Sequence, residues 1–135
     1  MLINEWQYEL TIWIWLGIAA GTFLLLMFVR APYGRHERPG WGPRIPARLG
    51  WVFMESPCIV VMTVFFGIGV SGWNLADPVG IIFYILWTGH YIHRSWVWPA
   101  RARITGKKMP ISLVLFAVGF NGINSWINAE WMFSL

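Results

Sequence analysis

The sequence predicts an all-α integral membrane protein with four transmembrane helices, from its composition, its apolar segments and the positions of its basic residues. Of its 135 residues, 57% are apolar and 12% are charged, whereas an ordinary soluble domain carries roughly 25% charged residues. The 18% of aromatic residues also excludes disorder, because disordered chains are poor in aromatic residues. Four spans of about 20 residues would use most of this length, so we expect one transmembrane domain over residues 1–135.

Four apolar segments are long enough to cross a bilayer as helices. The first, residues 10–29, contains no charged side chain, and acids precede it where a cleavable signal peptide would carry Lys or Arg. The other three spans are predicted at residues 50–73, 78–98 and 111–133. Pro57 lies inside the second span, where we expect a kink, and glycines with Asp77 and Pro78 mark the turn before the third.

The basic residues predict the orientation of these spans. All ten Lys and Arg residues lie either after the first span or at and after the end of the third. The positive-inside rule therefore places the basic loops, residues 30–49 and 99–110, in the cytoplasm and both termini on the opposite side. We expect the location to be a bacterial inner membrane. Lipid headgroups and topology explain the net charge of +4, so no nucleic-acid partner is predicted.

Ionisable side chains lie inside three of the predicted spans, and Glu130 is near the far end of the fourth. Glu55 is about one turn inside the second span, and Tyr91 and Arg94 are in the last turns of the third. An acid in a span is a functional candidate, since insertion of its charged form at a helix centre costs about 3 kcal/mol. A buried, neutral Glu55 would donate a hydrogen bond to a substrate carbonyl. The alternative, of similar weight on the residues alone, is a partly hydrated glutamate paired with Arg48, His90 or Arg94.

The segment HYIHR at residues 90–94 has one polar face, because helical spacing places Arg94 beside His90 and Tyr91. A phenol at that depth would polarise a carbonyl, and the arginine would hold a phosphate or neutralise Glu55. The alternative for the cationic groups is that they extend to the lipid headgroups. A single intramembrane histidine is weak evidence for a haem ligand, and zinc-site and phosphate-loop motifs do not occur, so we predict no metal site.

The fourth span carries an amide stripe, since Asn121, Asn124 and Asn128 recur at spacings of three and four. We interpret the stripe as a set of interhelical hydrogen bonds. Asn121 is in addition a candidate for ligand binding.

Five short motifs follow one another along the chain. They are YGRH at 33–36, RIPAR at 44–48 with Trp51 and ESP at 55–57 behind it, HYIHR at 90–94, GKKMP at 106–110 and NG at 121–122. Their order and spacing resemble the 3-oxo-5-alpha-steroid 4-dehydrogenases, also called steroid 5α-reductases. The resemblance implies a seven-span enzyme that transfers hydride from NADPH to the β-carbon of an enone in a steroid or similar lipid.

The resemblance also implies roles for individual residues. Glu55 and Tyr91 would bind the substrate carbonyl, and Trp51 and Met54 would line the sterol pocket. Met54 stands where the family usually has glutamine, so one polar contact is lost. The candidates for holding NADPH are Arg94 and Asn121.

The motifs cover the whole chain but only about the first half of the family pattern, and most of the NADPH-binding residues belong to the second half. One hypothesis is therefore the amino-terminal half of a reductase, with further spans supplied elsewhere. The other is a non-catalytic accessory subunit in a larger membrane complex, such as a photosynthetic or respiratory assembly. The expected partners are membrane lipid, a steroid-like substrate and other transmembrane chains.

Overall fold

The structure, a computed structural model, describes residues 4–30, 40–72 and 78–133. The YGRH motif and the turn at residues 73–77 lie outside the described residues. Within them the chain forms, in order, helix α1 (Glu5–Phe28), strand β1 (Arg44–Pro46), helix α2 (Ala47–Gly72), helix α3 (Pro78–Ile92), a π-helical segment (His93–Val97), helix α4 (Trp98–Arg101), strand β2 (Lys108–Pro110) and helix α5 (Ile111–Phe133).

Three helices in the described part of the chain are long and apolar enough to cross a membrane. They are α1, the stretch Ala47–Gly69 of α2, and α5. Helix α1 begins before the apolar run because of a capping box: the Asn4 side chain accepts a hydrogen bond from the Gln7 backbone N–H, and the Gln7 side chain accepts one from the Asn4 N–H. With these helices the chain is an integral membrane protein.

The path expected for the third span is divided into pieces. Helix α3 has 15 residues, fewer than the roughly 20 that cross a hydrocarbon layer. The helical path continues through the π-helical segment and α4 as far as Arg101. Such π-helical turns occur frequently at functional sites, and this one carries Arg94 and Ser95. The count of four spans and the orientation of the termini stay predictions.

The two basic loops meet in a small antiparallel sheet that the all-α prediction lacks. Strands β1 and β2 pair with Ile45 opposite Met109, and the Ile111 backbone N–H donates to the Pro43 carbonyl at 2.9 Å. Met109 is buried in the apolar cluster at this end of the bundle. Each strand has three residues and ends in proline. Such short strands show no alternating pattern, and proline argues against a strand, so the sequence does not indicate this sheet.

Helix α2 is the centre of the packing, with α3 on one side and α5 on another. One apolar cluster lies near the sheet and joins Met54 of α2 to Met109 and to Val114 of α5. A second cluster, near the other end of α2, joins Met62 to Phe133 of α5. Helix α2 continues through Pro57.

Helix α1 is attached to this bundle mainly through α5. Its single buried side chain in the described structure is Tyr8, whose hydroxyl donates to the Ile127 carbonyl at 2.9 Å. The Trp15 ring also contacts the Phe120 ring at 4.8 Å between centroids. Most of the α1 surface is therefore apolar and open to lipid.

Candidate functional site

An ion pair joins α2 to the π-helical segment. Arg94 Nε donates to Glu55 Oε1 at 2.7 Å. The Glu55 side chain is 6% exposed, whereas that of Arg94 is 47% exposed, so the pair has a buried anionic side and an open cationic side. Of the three partners that the sequence leaves open for Glu55, the structure selects Arg94. Arg48 donates instead to the Thr105 hydroxyl at 3.1 Å, and His90 is exposed.

An aromatic ring lies beside the cationic side of this pair. The Arg94 guanidinium carbon lies 5.3 Å from the ring centre of Trp51, within the range of a cation–π contact. Trp51 in turn packs edge-on against Trp98, with 4.8 Å between ring centroids. The structure therefore places Trp51 beside the ion pair, one turn of α2 before Glu55.

Tyr91 lies about one helical turn before Arg94, on the same interface between α2 and the α3 path. Its hydroxyl is beside the Cys58 thiol, and Glu55 is close enough to act on it electrostatically. Glu55 and Cys58 are three residues apart on α2, and Tyr91 and Arg94 are three residues apart on the opposing path. The two helices run in opposite directions, so Arg94 meets Glu55 while Tyr91 meets Cys58. The carboxyl and the phenol are thus neighbours on one seam, each with its own partner.

Small polar groups continue this seam on the other side of the ion pair. The hydroxyls of Ser56 and Ser95 lie 3.0 Å apart. Both also donate to the Val52 carbonyl, at 2.6 and 3.1 Å. Sequence analysis missed these serines, although each directly follows a candidate site residue, because serine inside a span gives no functional signal of its own.

The comparisons with known proteins concern this same stretch of chain. The chain is 37% identical over 118 residues to the steroid 5-alpha-reductase DET2 of Gossypium hirsutum, with 85% of this chain covered. It is 34% identical over 116 residues to the Arabidopsis thaliana protein of the same name, with 82% covered. It is 32% identical over 117 residues to the 3-oxo-5-alpha-steroid 4-dehydrogenase 2 of Rattus norvegicus, with 83% covered.

The chain belongs to the steroid 5α-reductase family. It spans about half the length of the curated relatives it matches, covering 45%, 43% and 43% of these three. No family model matches the chain. The resemblance expected from the five motifs is confirmed by these relatives.

In this reductase-family chain, Met54 and Asn121 meet at the junction of α2 and α5. The Asn121 side-chain amide donates to the Met54 carbonyl at 2.6 Å. The Met54 side chain is buried in the apolar cluster near the sheet. Asn121 therefore makes the interhelical bond predicted for the amide stripe. Asn128 differs, because its amide donates to the Asn124 carbonyl within α5 at 2.8 Å.

The arrangement brings three polar groups of different chemistry onto one seam. The described residues include no group of three or more His, Cys, Asp and Glu side chains that could hold a metal ion. The seam presents one carboxylate, one guanidinium and one phenol, on Glu55, Arg94 and Tyr91. Such a set can bind a carbonyl oxygen and an anionic group side by side.

Proposed function

We propose that this chain supplies the carbonyl-binding part of a steroid 5α-reductase, which reduces the enone double bond of a steroid or similar lipid with NADPH. The observation that carries the proposal is the Glu55–Arg94 ion pair, with Tyr91 on the same seam. Ionisable groups inside spans are rare and mark functional sites by default. Two of the relatives named above are steroid 5-alpha-reductases by name, and the third is a 3-oxo-5-alpha-steroid 4-dehydrogenase.

The reaction that we propose adds a hydride to the β-carbon of the enone and a proton to the α-carbon. Negative charge develops on the carbonyl oxygen as the hydride arrives, and preorganised hydrogen-bond donors stabilise that charge. Tyr91 carries a hydroxyl proton and is the first such donor on the seam. Its hydroxyl lies beside the Cys58 thiol, and its ring packs against the Trp87 ring at 5.1 Å between centroids.

Glu55 has two possible roles that depend on its proton. When it is paired with Arg94, the Glu55 carboxylate accepts hydrogen bonds and carries no proton with which to donate one. We propose that Glu55, in its protonated form, becomes the second donor to the carbonyl oxygen.

The exposed side of Arg94 fits the phosphate groups of NADPH, the cofactor that supplies the hydride when bound. The bond to Glu55 uses Nε, and not the two terminal amino groups that bind phosphate oxygens in a bidentate way. Asn121 is the second cofactor candidate. Because the chain spans about half of its relatives, we propose that further spans close the cofactor site.

NADPH oxidation tests the proposal. The chain, alone and with candidate partner chains, is reconstituted with NADPH and a Δ4-3-ketosteroid, and the nicotinamide absorbance is followed. We expect oxidation that falls about 100-fold or more in Tyr91→Phe and in Glu55→Gln, the loss typical of removing one donor at a developing oxyanion. Tyr84→Phe is the matched control, since Tyr84 lies two turns away on α3 and bonds Thr63.

The control variant should retain the activity of the natural chain. Steroid-dependent oxidation that Tyr91→Phe and Glu55→Gln leave unchanged would contradict the proposed roles. Absence of oxidation with every partner tested would contradict the proposed activity itself.

A further inference from the structure

The part of α2 that carries Glu55 is weakened by a proline. Pro57 has no backbone N–H, so the Phe53 carbonyl lacks its usual helical donor, and the proline ring crowds that carbonyl. Prolines in membrane helices are tolerated where neighbouring side chains satisfy the backbone. Glu55 lies between Phe53 and Pro57, so the helix alone does not fix its position.

Side chains from the neighbouring elements bind this weakened stretch on both sides of Pro57. Before it, the Ser95 hydroxyl donates to the Val52 carbonyl at 3.1 Å. After it, the Trp87 indole N–H donates to the Cys58 carbonyl at 3.1 Å. Both donors belong to the α3 path, which also carries Arg94. The α3 path therefore holds both the α2 backbone on either side of Glu55 and the Glu55 carboxyl itself.

On the α5 side, Asn121 is the residue that binds this stretch at two points. Its side-chain amide donates to the carbonyl of Met54, the residue directly before Glu55, at 2.6 Å. Its backbone carbonyl accepts a weak bond from the Cys58 thiol, with 3.9 Å between sulfur and oxygen. Met54 and Cys58 are four residues apart, so Asn121 spans one turn of α2 that contains Glu55. Hydrogen bonds of this kind are the principal directional contacts between helices in a bilayer.

We infer that Asn121 is a positioning residue: by holding the Met54 carbonyl it sets the place of Glu55 relative to Arg94 and Tyr91. Asn121 does this through the backbone of α2. The bond acts on the residue next to Glu55 and comes from α5, whereas Arg94 belongs to the α3 path. Without it, the turn around Pro57 can shift toward α3 or rotate, and the Arg94–Glu55 contact changes with it.

The test reads the Glu55 carboxylate directly by infrared spectroscopy of the full chain in lipid nanodiscs, with ¹³C-labelled glutamate. The Glu55 band is identified by subtracting the spectrum of Glu55→Gln. We expect Asn121→Leu, which keeps the approximate shape but removes the donor, to shift this band, because the charge-assisted bond from Arg94 lengthens. Asn128→Leu is the matched control and should leave the band in place, since Asn128 bonds only within α5 among the described contacts.

A merely structural Asn121 gives a different result. It would lower stability in Asn121→Leu and leave the Glu55 band unchanged, which would overturn the inference. If Asn121→Leu does not fold, Asn121→Ser serves instead, because its short hydroxyl cannot reach the Met54 carbonyl. An unshifted band in folded Asn121→Ser overturns the inference equally.

The activity arm of the test rests on the proposed function, whereas the infrared arm does not. With NADPH and a Δ4-3-ketosteroid, we expect Asn121→Leu to lower kcat about tenfold to a hundredfold, the effect of a small misplacement of a catalytic group. KM for the steroid should change less than kcat. A shifted Glu55 band without any steroid reduction in the natural chain would support the positioning role and contradict the reductase activity.

Discussion

The two ends of α2 have different interfaces. Near the sheet, Glu55 pairs with Arg94 and the seam beside them is polar. Toward the other end, Met62 is fully buried and Phe66 stacks on Tyr84 with 4.0 Å between ring centroids. One helix thus has a polar end and an apolar end, which we define as residues 51–58 and 62–69.

The difference indicates that the two ends of α2 have separate roles, one in packing and one in orienting charged groups. Lipid tails are as apolar as leucine, so helices in a bilayer associate through close packing and polar contacts rather than through hydrophobic burial. The apolar end contributes packing: a Cβ on Gly69 would lie 3.1 Å from the Phe133 Cβ and 3.2 Å from its carbonyl oxygen. The polar end sets the orientation of the charged groups. Changes at the polar end should therefore affect chemistry as well as stability, and changes at the apolar end stability alone.

The largest effect is expected from breaking the ion pair at the polar end. Arg94→Gln leaves the Glu55 carboxylate buried without its cation, and we expect the free energy of unfolding to fall by about 2–3 kcal/mol. Tryptophan fluorescence during denaturant unfolding in detergent micelles measures this change. Steroid-dependent NADPH oxidation should be lost in the same variant.

Two further variants separate the buried charge from the loss of a basic side chain. Arg103→Gln changes an exposed arginine outside the helices and should alter stability by less than about 0.5 kcal/mol. The double variant Glu55→Gln/Arg94→Gln removes both charges and should recover at least half of the lost stability. A double variant as unstable as Arg94→Gln would show that the buried carboxylate is not the cause.

At the apolar end, a cavity should affect stability and leave the chemistry intact. Met62→Ala removes a fully buried side chain, and we expect a loss of about 2 kcal/mol, at the low end of such substitutions because the bilayer offers an equally apolar medium. Val60→Ala is the control, since Val60 is 60% exposed on the same helix. Equal losses in the two variants, or reduced kcat in Met62→Ala, would contradict the division between the ends.

The sequence could predict candidate residues at the polar end, but not how they pair. An acid inside a span and an arginine at the end of another can be recognised from a single sequence, which leaves Arg94 as one of three possible partners for Glu55. The choice among them depends on the rotation of α2 against the α3 path. The π-helical segment changes that rotation locally, and a pattern of 3.6 residues per turn does not reveal it.

Other features gave no signal in the sequence for physical reasons. The sheet that joins the basic loops forms from two three-residue strands ending in Pro46 and Pro110, and proline argues against a strand. Backbone acceptors cannot be identified from the sequence either. The pattern predicts that the Asn121 amide lies on an inward stripe, but it does not show that the Met54 carbonyl is its partner. The membrane class and the family, in contrast, follow from composition and motif order.

The smallest effect is expected for a polar contact between two side chains at the apolar end. The hydroxyls of Thr63 and Tyr84 lie 3.2 Å apart, and Tyr84→Phe keeps the stacking on Phe66 while removing this bond. Measured interhelical bonds in membrane proteins average about 0.6 kcal/mol, because the separated helices also find polar partners. A double-mutant cycle of Tyr84→Phe with Thr63→Val in the unfolding assay isolates this coupling. A coupling above about 2 kcal/mol, beyond what such bonds reach, would mean that the apolar end is also held together by polar contacts and that the two ends of α2 differ less than their side chains suggest.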